Sequence, residues 1–85
     1  MKLILFTAKH CKYCPIAHKA LKDVSRQNPD LDTEVIDVEN NSRLVGAYGV
    51  RSVPSLFFLK DGQVMGQLVG SMTVEKINSK IEESE

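Results

Sequence analysis

The sequence predicts an α/β fold, a four-stranded mixed sheet flanked by helices, and three features predict it. Two short apolar runs, Leu3-Ile4-Leu5-Phe6 and Leu56-Phe57-Phe58-Leu59, read as buried strands. A helical pattern separates the first run from a second strand, which makes a βαβ unit with parallel pairing and a right-handed crossover. Asp61-Gly62 follows the later run and suits a hairpin, because both residues tolerate the positive φ of such turns.

The elements follow in the order βαβαββα. The first strand covers Lys2 to Thr7, with apolar residues at consecutive positions, as a central strand buried on both faces requires. From Cys14 to Gln27 the period becomes helical. Cys14, Ala17, Leu21 and Val24 share one face with Ile16 and Ala20 beside it, while Lys19, Lys22, Asp23 and Arg26 face outward. Asn28-Pro29-Asp30 ends that helix, since proline cannot continue it. Thr33 to Val38 is the second strand. Asn41 or Ser42 caps a short helix through Ala47, closed by Tyr48-Gly49. Ser55 to Leu59 forms the third strand, Lys60-Asp61-Gly62-Gln63 the turn, and Gln63 to Val69 the fourth strand. Thr73 caps a last helix through about Glu83, where Val74, Ile77 and Ile81 are spaced for one buried face. Two longer helices and a short one would form a layer over the four strands. A single domain spanning residues 1–85 is expected, and at this size most apolar strand residues must be inside.

Composition excludes several classes. Eleven Lys and Arg balance eleven Asp and Glu, whereas a sequence-blind nucleic-acid binder needs a cationic excess. The chain lacks Trp and has two Tyr and three Phe, a poor basis for base stacking. The apolar runs fall far short of the ~20 residues of a membrane span. Lys9, His10 and Lys12 interrupt the N-terminal run before it reaches the length of a secretory leader, so a cytoplasmic protein is expected. No partner of nucleic acid or membrane is therefore expected.

The chemistry is concentrated at Cys11 and Cys14, a C-x-x-C pair between the first strand and the first helix. A loop this short makes a poor structural staple, so the pair reads as redox-active or metal-binding. A helix start offers unpaired N–H groups and the positive end of the dipole. With Lys9, His10 and Lys12 nearby, the Cys11 thiol should titrate below the ~8.5 of a free cysteine. Cys14, one turn into the helix on its inner face, should be more buried. The asymmetry makes Cys11 the nucleophile and Cys14 the resolving thiol in thiol–disulfide exchange. Pro15 suits a helix entrance, where an N–H is expendable, and could also tune the dithiol. Taken alone, Pro54 reads as a trans proline opening a strand.

With these two motifs in place the chain resembles the thioredoxin and glutaredoxin superfamily over nearly its whole length, and most the small, glutaredoxin-sized thioredoxins. Cys11-Lys12-Tyr13-Cys14 resembles the family's active site, and Tyr48-Gly49-Val50-Arg51-Ser52-Val53-Pro54-Ser55 resembles the stretch leading into its cis-proline. Lys60-Asp61-Gly62 and Val69-Gly70-Ser71 resemble the hairpin and glycine turn that follow. The resemblance implies the thioredoxin fold, a cis Pro54, and a Val53 backbone offered to an extended substrate segment. It implies supporting roles for Lys12, Tyr13 and Pro54. Tyr13, Val53, Pro54, Gly70 and Ser71 would line the substrate surface. It also implies protein-disulfide substrates, a thioredoxin-reductase-type electron donor and no bound cofactor or metal. A monomer is expected, since the pattern shows no large exposed apolar patch.

The chain departs from typical thioredoxins in three places. Lys12-Tyr13 stands between the cysteines where Gly-Pro is usual, His10 stands where Trp is usual, and Leu5 occupies the position of a buried carboxylate. The base that activates Cys14 is thereby left open; His18, four residues on, is a candidate, with a plain surface histidine as the alternative. Tyr13 matches the glutaredoxin dipeptide, so a glutathione-dependent glutaredoxin is the first alternative, although Val69-Gly70-Ser71-Met72-Thr73 lacks the paired Asp of a glutathione site. The alternative of another class is a metal or iron–sulfur module using His10, Cys11, Cys14 and His18. Met65 and Met72 read as core or rim residues, and Glu75, Glu82, Glu83 and Glu85 as a solvated face and tail. Asp37 and Glu39 read as the end of the second strand, neutralising nearby lysines.

Overall fold

The computed structural model describes residues 1–85. It contains β1 (Lys2–Thr7), α1 (Cys14–Gln27), β2 (Asp32–Asp37), a 3-10 turn (Val38–Asn40), α2 (Ser42–Tyr48), β3 (Ser55–Lys60), β4 (Gln63–Val69) and α3 (Val74–Ser84). The sheet order is β2-β1-β3-β4. β1 pairs with β2 in parallel, and with β3 antiparallel; β3 and β4 are antiparallel. The sheet is therefore mixed and four-stranded, and its two apolar runs are the central strands.

Both faces of β1 and β3 are covered. Leu3, Leu5, Leu56 and Phe58 pack against Ala17, Leu21 and Val24 of α1 and Ile77 and Ile81 of α3, with Met72 filling the same core. On the other face Ile4, Phe6, Phe57, Leu59 and Ile36 meet Leu44, Val45 and Tyr48 of α2. The rings of Phe6, Phe57 and Tyr48 stand 5.1–5.5 Å apart in tilted and edge-on contacts, which adds to burial. The helices thus split into two layers around the sheet, rather than forming the one layer expected. The crossover explains it: α2 follows an edge strand, and its apolar side chains meet the face that α1 and α3 leave open.

Several boundaries differ from expectation. β2 runs Asp32–Asp37 because Asp37 accepts a hydrogen bond from the Glu39 N–H, at 2.8 Å, turning Val38 into the 3-10 turn. Neither Asp37 nor Glu39 pairs with a lysine. Asn41 flanks α2, yet its side chain donates to the Asp37 carbonyl instead of capping. Ile16 is 55% exposed, because the face centred on Cys14, Ala17 and Leu21 turns it to solvent. Met72 is core and Met65 is exposed; Phe58 pairs with Gly66 and Leu59 with Val64, so Met65 is the extra residue of a bulge. Thr73 does cap α3, accepting from the Lys76 N–H at 3.2 Å. Asp61 and Gly62 have φ of 53° and 80°, as the hairpin requires.

Candidate active site

The sheet brings three chain segments to one end. β1 leaves it at Thr7 toward the cysteines, β3 enters it at Ser55 after Pro54, and β4 leaves it at Val69 before Gly70. Phe6 opposes Ser55, and Ser55 opposes Val69. Register alone therefore sets the C-x-x-C, the proline loop and the glycine turn at the same edge.

Cys11 and Cys14 form a disulfide with Cα atoms 5.3 Å apart. Cys14 is the first residue of α1, not one turn in, and Tyr13 is the flanking cap residue. Cys11 lies just outside the helix, its sulfur held at the helix start by the bond to Cys14. The two differ in exposure as expected: Cys14 is 4% exposed, whereas Cys11 is half-buried.

The helix start is electrostatically open. The first backbone bond runs from the Ala17 N–H to the Tyr13 carbonyl, at 3.0 Å. Tyr13 provides no side-chain cap, Pro15 has no N–H, and the first turn holds no acidic residue. The N–H groups of Cys14 and Ile16 thus keep their positive potential beside the sulfurs.

The disulfide borders a shallow cleft of about 240 Å³, walled by Thr7, Ala8, Lys9, Pro15 and His18. His18 therefore shares the cysteines' cleft but is exposed and makes no side-chain hydrogen bond. Leu5 is fully buried beneath α1, so the core contains an aliphatic side chain where typical thioredoxins bury a carboxylate. His10, Cys11, Cys14 and His18 do not converge into a metal-ligand set.

The Val53–Pro54 peptide is cis. The Pro54 carbonyl accepts from the Gly70 N–H at 2.9 Å, tying the proline loop to the glycine turn. Gly70 has φ +84°, a region where a side chain would be strained. Ser55, 1% exposed, donates its hydroxyl to the Ser52 carbonyl at 2.7 Å and closes the loop from beneath. The one signal of this role of Ser55 in the sequence is a lone hydroxyl opening an otherwise apolar strand. Nothing in the chemistry of Thr7 and Ala8 marks them in the sequence as a cleft wall. The backbone groups of Val53 pair with no other group of the chain. Tyr13 is 47% exposed, with the Lys12 ammonium 5.7 Å from its ring centre, and Ser71 is exposed.

A vicinal disulfide-forming pair at a bare helix start, beside a cis-proline loop on this sheet, defines a thiol–disulfide oxidoreductase. The thioredoxin family model matches residues 1–83. The thioredoxin of Bacillus subtilis is 34% identical over 89% of this chain and 74% of its own length. That of Methanocaldococcus jannaschii is 29% identical, over 95% of this chain and 96% of its own. A mutant thioredoxin from Halobacterium salinarum superposes with a TM-score of 0.90 at 31% identity, covering 98% of this chain and 73% of that one. The chain belongs to the thioredoxin family. No helix is long and apolar enough to cross a membrane.

Proposed function

We propose that the chain reduces protein disulfides, with Cys11 as nucleophile and Cys14 as resolving thiol. The observation that carries this reading is the unequal exposure of the pair at the uncapped start of α1. The Cys11 thiolate attacks one sulfur of a substrate disulfide and expels the other as a thiolate. Cys14, once deprotonated, attacks the Cys11 sulfur, re-forming the disulfide of this chain and releasing the second substrate thiol. The substrate gains two electrons and two protons, and an external donor returns two electrons to the cysteine pair. The free Val53 backbone supports strand addition by an extended substrate segment. Lys12 supports the Cys11 thiolate by charge. Tyr13, Pro54, Gly70 and Ser71 complete the surface that the substrate meets.

Similarity to thioredoxins supports a reductase-type donor rather than glutathione, a monomer, and a cytoplasmic site of action. Cys14→Ser should trap substrate as a mixed disulfide, identified by mass spectrometry after non-reducing electrophoresis. Attachment of the substrate to Cys11 is the expected result; a Cys11 that stays free with substrate present contradicts the roles.

A further inference from the structure

The chain is neutral overall, but its charge is separated. Lys9, His10 and Lys12 lie in the loop before α1 and Arg51 in the loop before Pro54, all exposed or partly so. Residues 7–22, 50–59 and 62–74, which carry the dithiol, the proline loop and the glycine turn, contain no Asp or Glu. The ion pairs lie elsewhere: Lys2 with Asp32 and Glu34, Arg26 with Asp23, and Lys80 with Glu83. Lys9, Lys12 and Arg51 enter none of them. Asp37 sits level with Thr7 on the edge strand β2, but its carboxylate is turned to the Glu39 N–H. Glu39 and Glu75 follow the two edge strands, whereas the free cations sit on loops of the central strands. Asp30, Asp32, Asp61 and Glu85 gather at the opposite end, where Lys60 reaches the Glu85 carbonyl. The centre of the active-site end therefore carries cations without ion-pair partners, with Asp37, Glu39 and Glu75 at its two edges and the acidic cluster at the opposite end.

From this charge separation we propose a substrate class: disulfides flanked by an extended acidic segment of the partner protein. The inference rests on the dithiol-exchange reading above and specifies its substrate. A segment laid beside the Val53 backbone, with its cysteine at Cys11, spans the loop that carries Arg51 and the loop that carries Lys9 and Lys12. Asp or Glu next to the substrate cysteine meets unpaired cations there; Lys or Arg meets like charge. Charges at the rim of an interface act mainly on association rate and its salt dependence.

The test uses two peptides with the same disulfide ring, one flanked by Asp and one by Lys. Their reduction rates by the fully reduced protein are divided by their rates with dithiothreitol in about 1 M salt, where the negative charge of its attacking thiolate is screened, which removes intrinsic differences between the peptides. The normalised preference for the acidic peptide should be about three- to tenfold at low salt. It should collapse toward unity near 1 M salt, where the screening length is about 3 Å. It should reverse in the K9E/R51E variant. The single variants K9Q and R51Q should each reduce it if the double variant does not fold. Equal normalised rates at every salt concentration overturn the proposal while leaving dithiol exchange intact. If dithiothreitol reduces both peptides and the protein reduces neither, the exchange reading falls and the proposal falls with it.

Discussion

The asymmetry between two sulfurs three residues apart carries the chemistry. Cys14 is buried, while Cys11 is half-buried and open to a partner. In the reduced protein the bare helix start and the charges of Lys9 and Lys12 should hold the Cys11 thiol below the ordinary ~8.5. Ultraviolet titration of the thiolate checks this, and Lys12→Glu should move the midpoint upward; a wild-type midpoint at or above ~8.5 contradicts it. Leu5 is the second telling residue. It is fully buried against α1, so Leu5→Asp puts a carboxylate among aliphatic side chains. The substitution should cost at least about 3 kcal/mol in denaturant unfolding. The cysteine pair was legible from spacing and placement alone. Ser55 was not, because its role is a hydrogen bond made only after the loop has turned.

At the scale of elements, two central strands carry the core, while of the edge strands β2 is charged and β4 is not. Phe58 is fully buried between the sheet and α3, so Phe58→Ala should cost about 3–5 kcal/mol, read from the unfolding midpoint at unchanged slope. Lys2 joins β1 to β2, its ammonium 3.1 Å from Glu34 and 4.0 Å from Asp32. Its pKa is raised above 10.5, first by the hydrogen bond and charge of Glu34 and then by Asp32. A raised pKa means tighter proton binding in the folded state. The contribution is therefore complete below the ordinary lysine range and lost as pH rises through the raised value. Lys2→Met should flatten the alkaline limb of the stability curve, measured by denaturant unfolding across pH; an unchanged alkaline limb would contradict the assignment. Strand and helix order could be read from periodicity, and the hairpin from Asp61-Gly62. The division of the helices between two faces could not, since periodicity gives a buried side but not which face of the sheet it meets. Ile16 shows the same limit at one residue: next to a buried stripe, only packing decides exposure.

For the whole molecule, the register of β1, β3 and β4 assembles a redox site from segments more than forty residues apart in sequence, Cys11 and Pro54 among them. Composition showed a net charge of zero and concealed how that charge is divided between the two ends. The cis-proline loop was legible only through resemblance, because sequence alone favours a trans bond. The central claim is a thioredoxin-type reductant that receives its electrons from a reductase. It is tested most directly by the rate at which the oxidised protein is reduced by a thioredoxin reductase with its nicotinamide donor, compared with reduction by glutathione. The account predicts reduction by the reductase at least about tenfold faster than by glutathione at matched reducing equivalents. Rapid reduction by glutathione with no turnover by the reductase would contradict it, and would make the chain a glutaredoxin built without the paired Asp of a glutathione site.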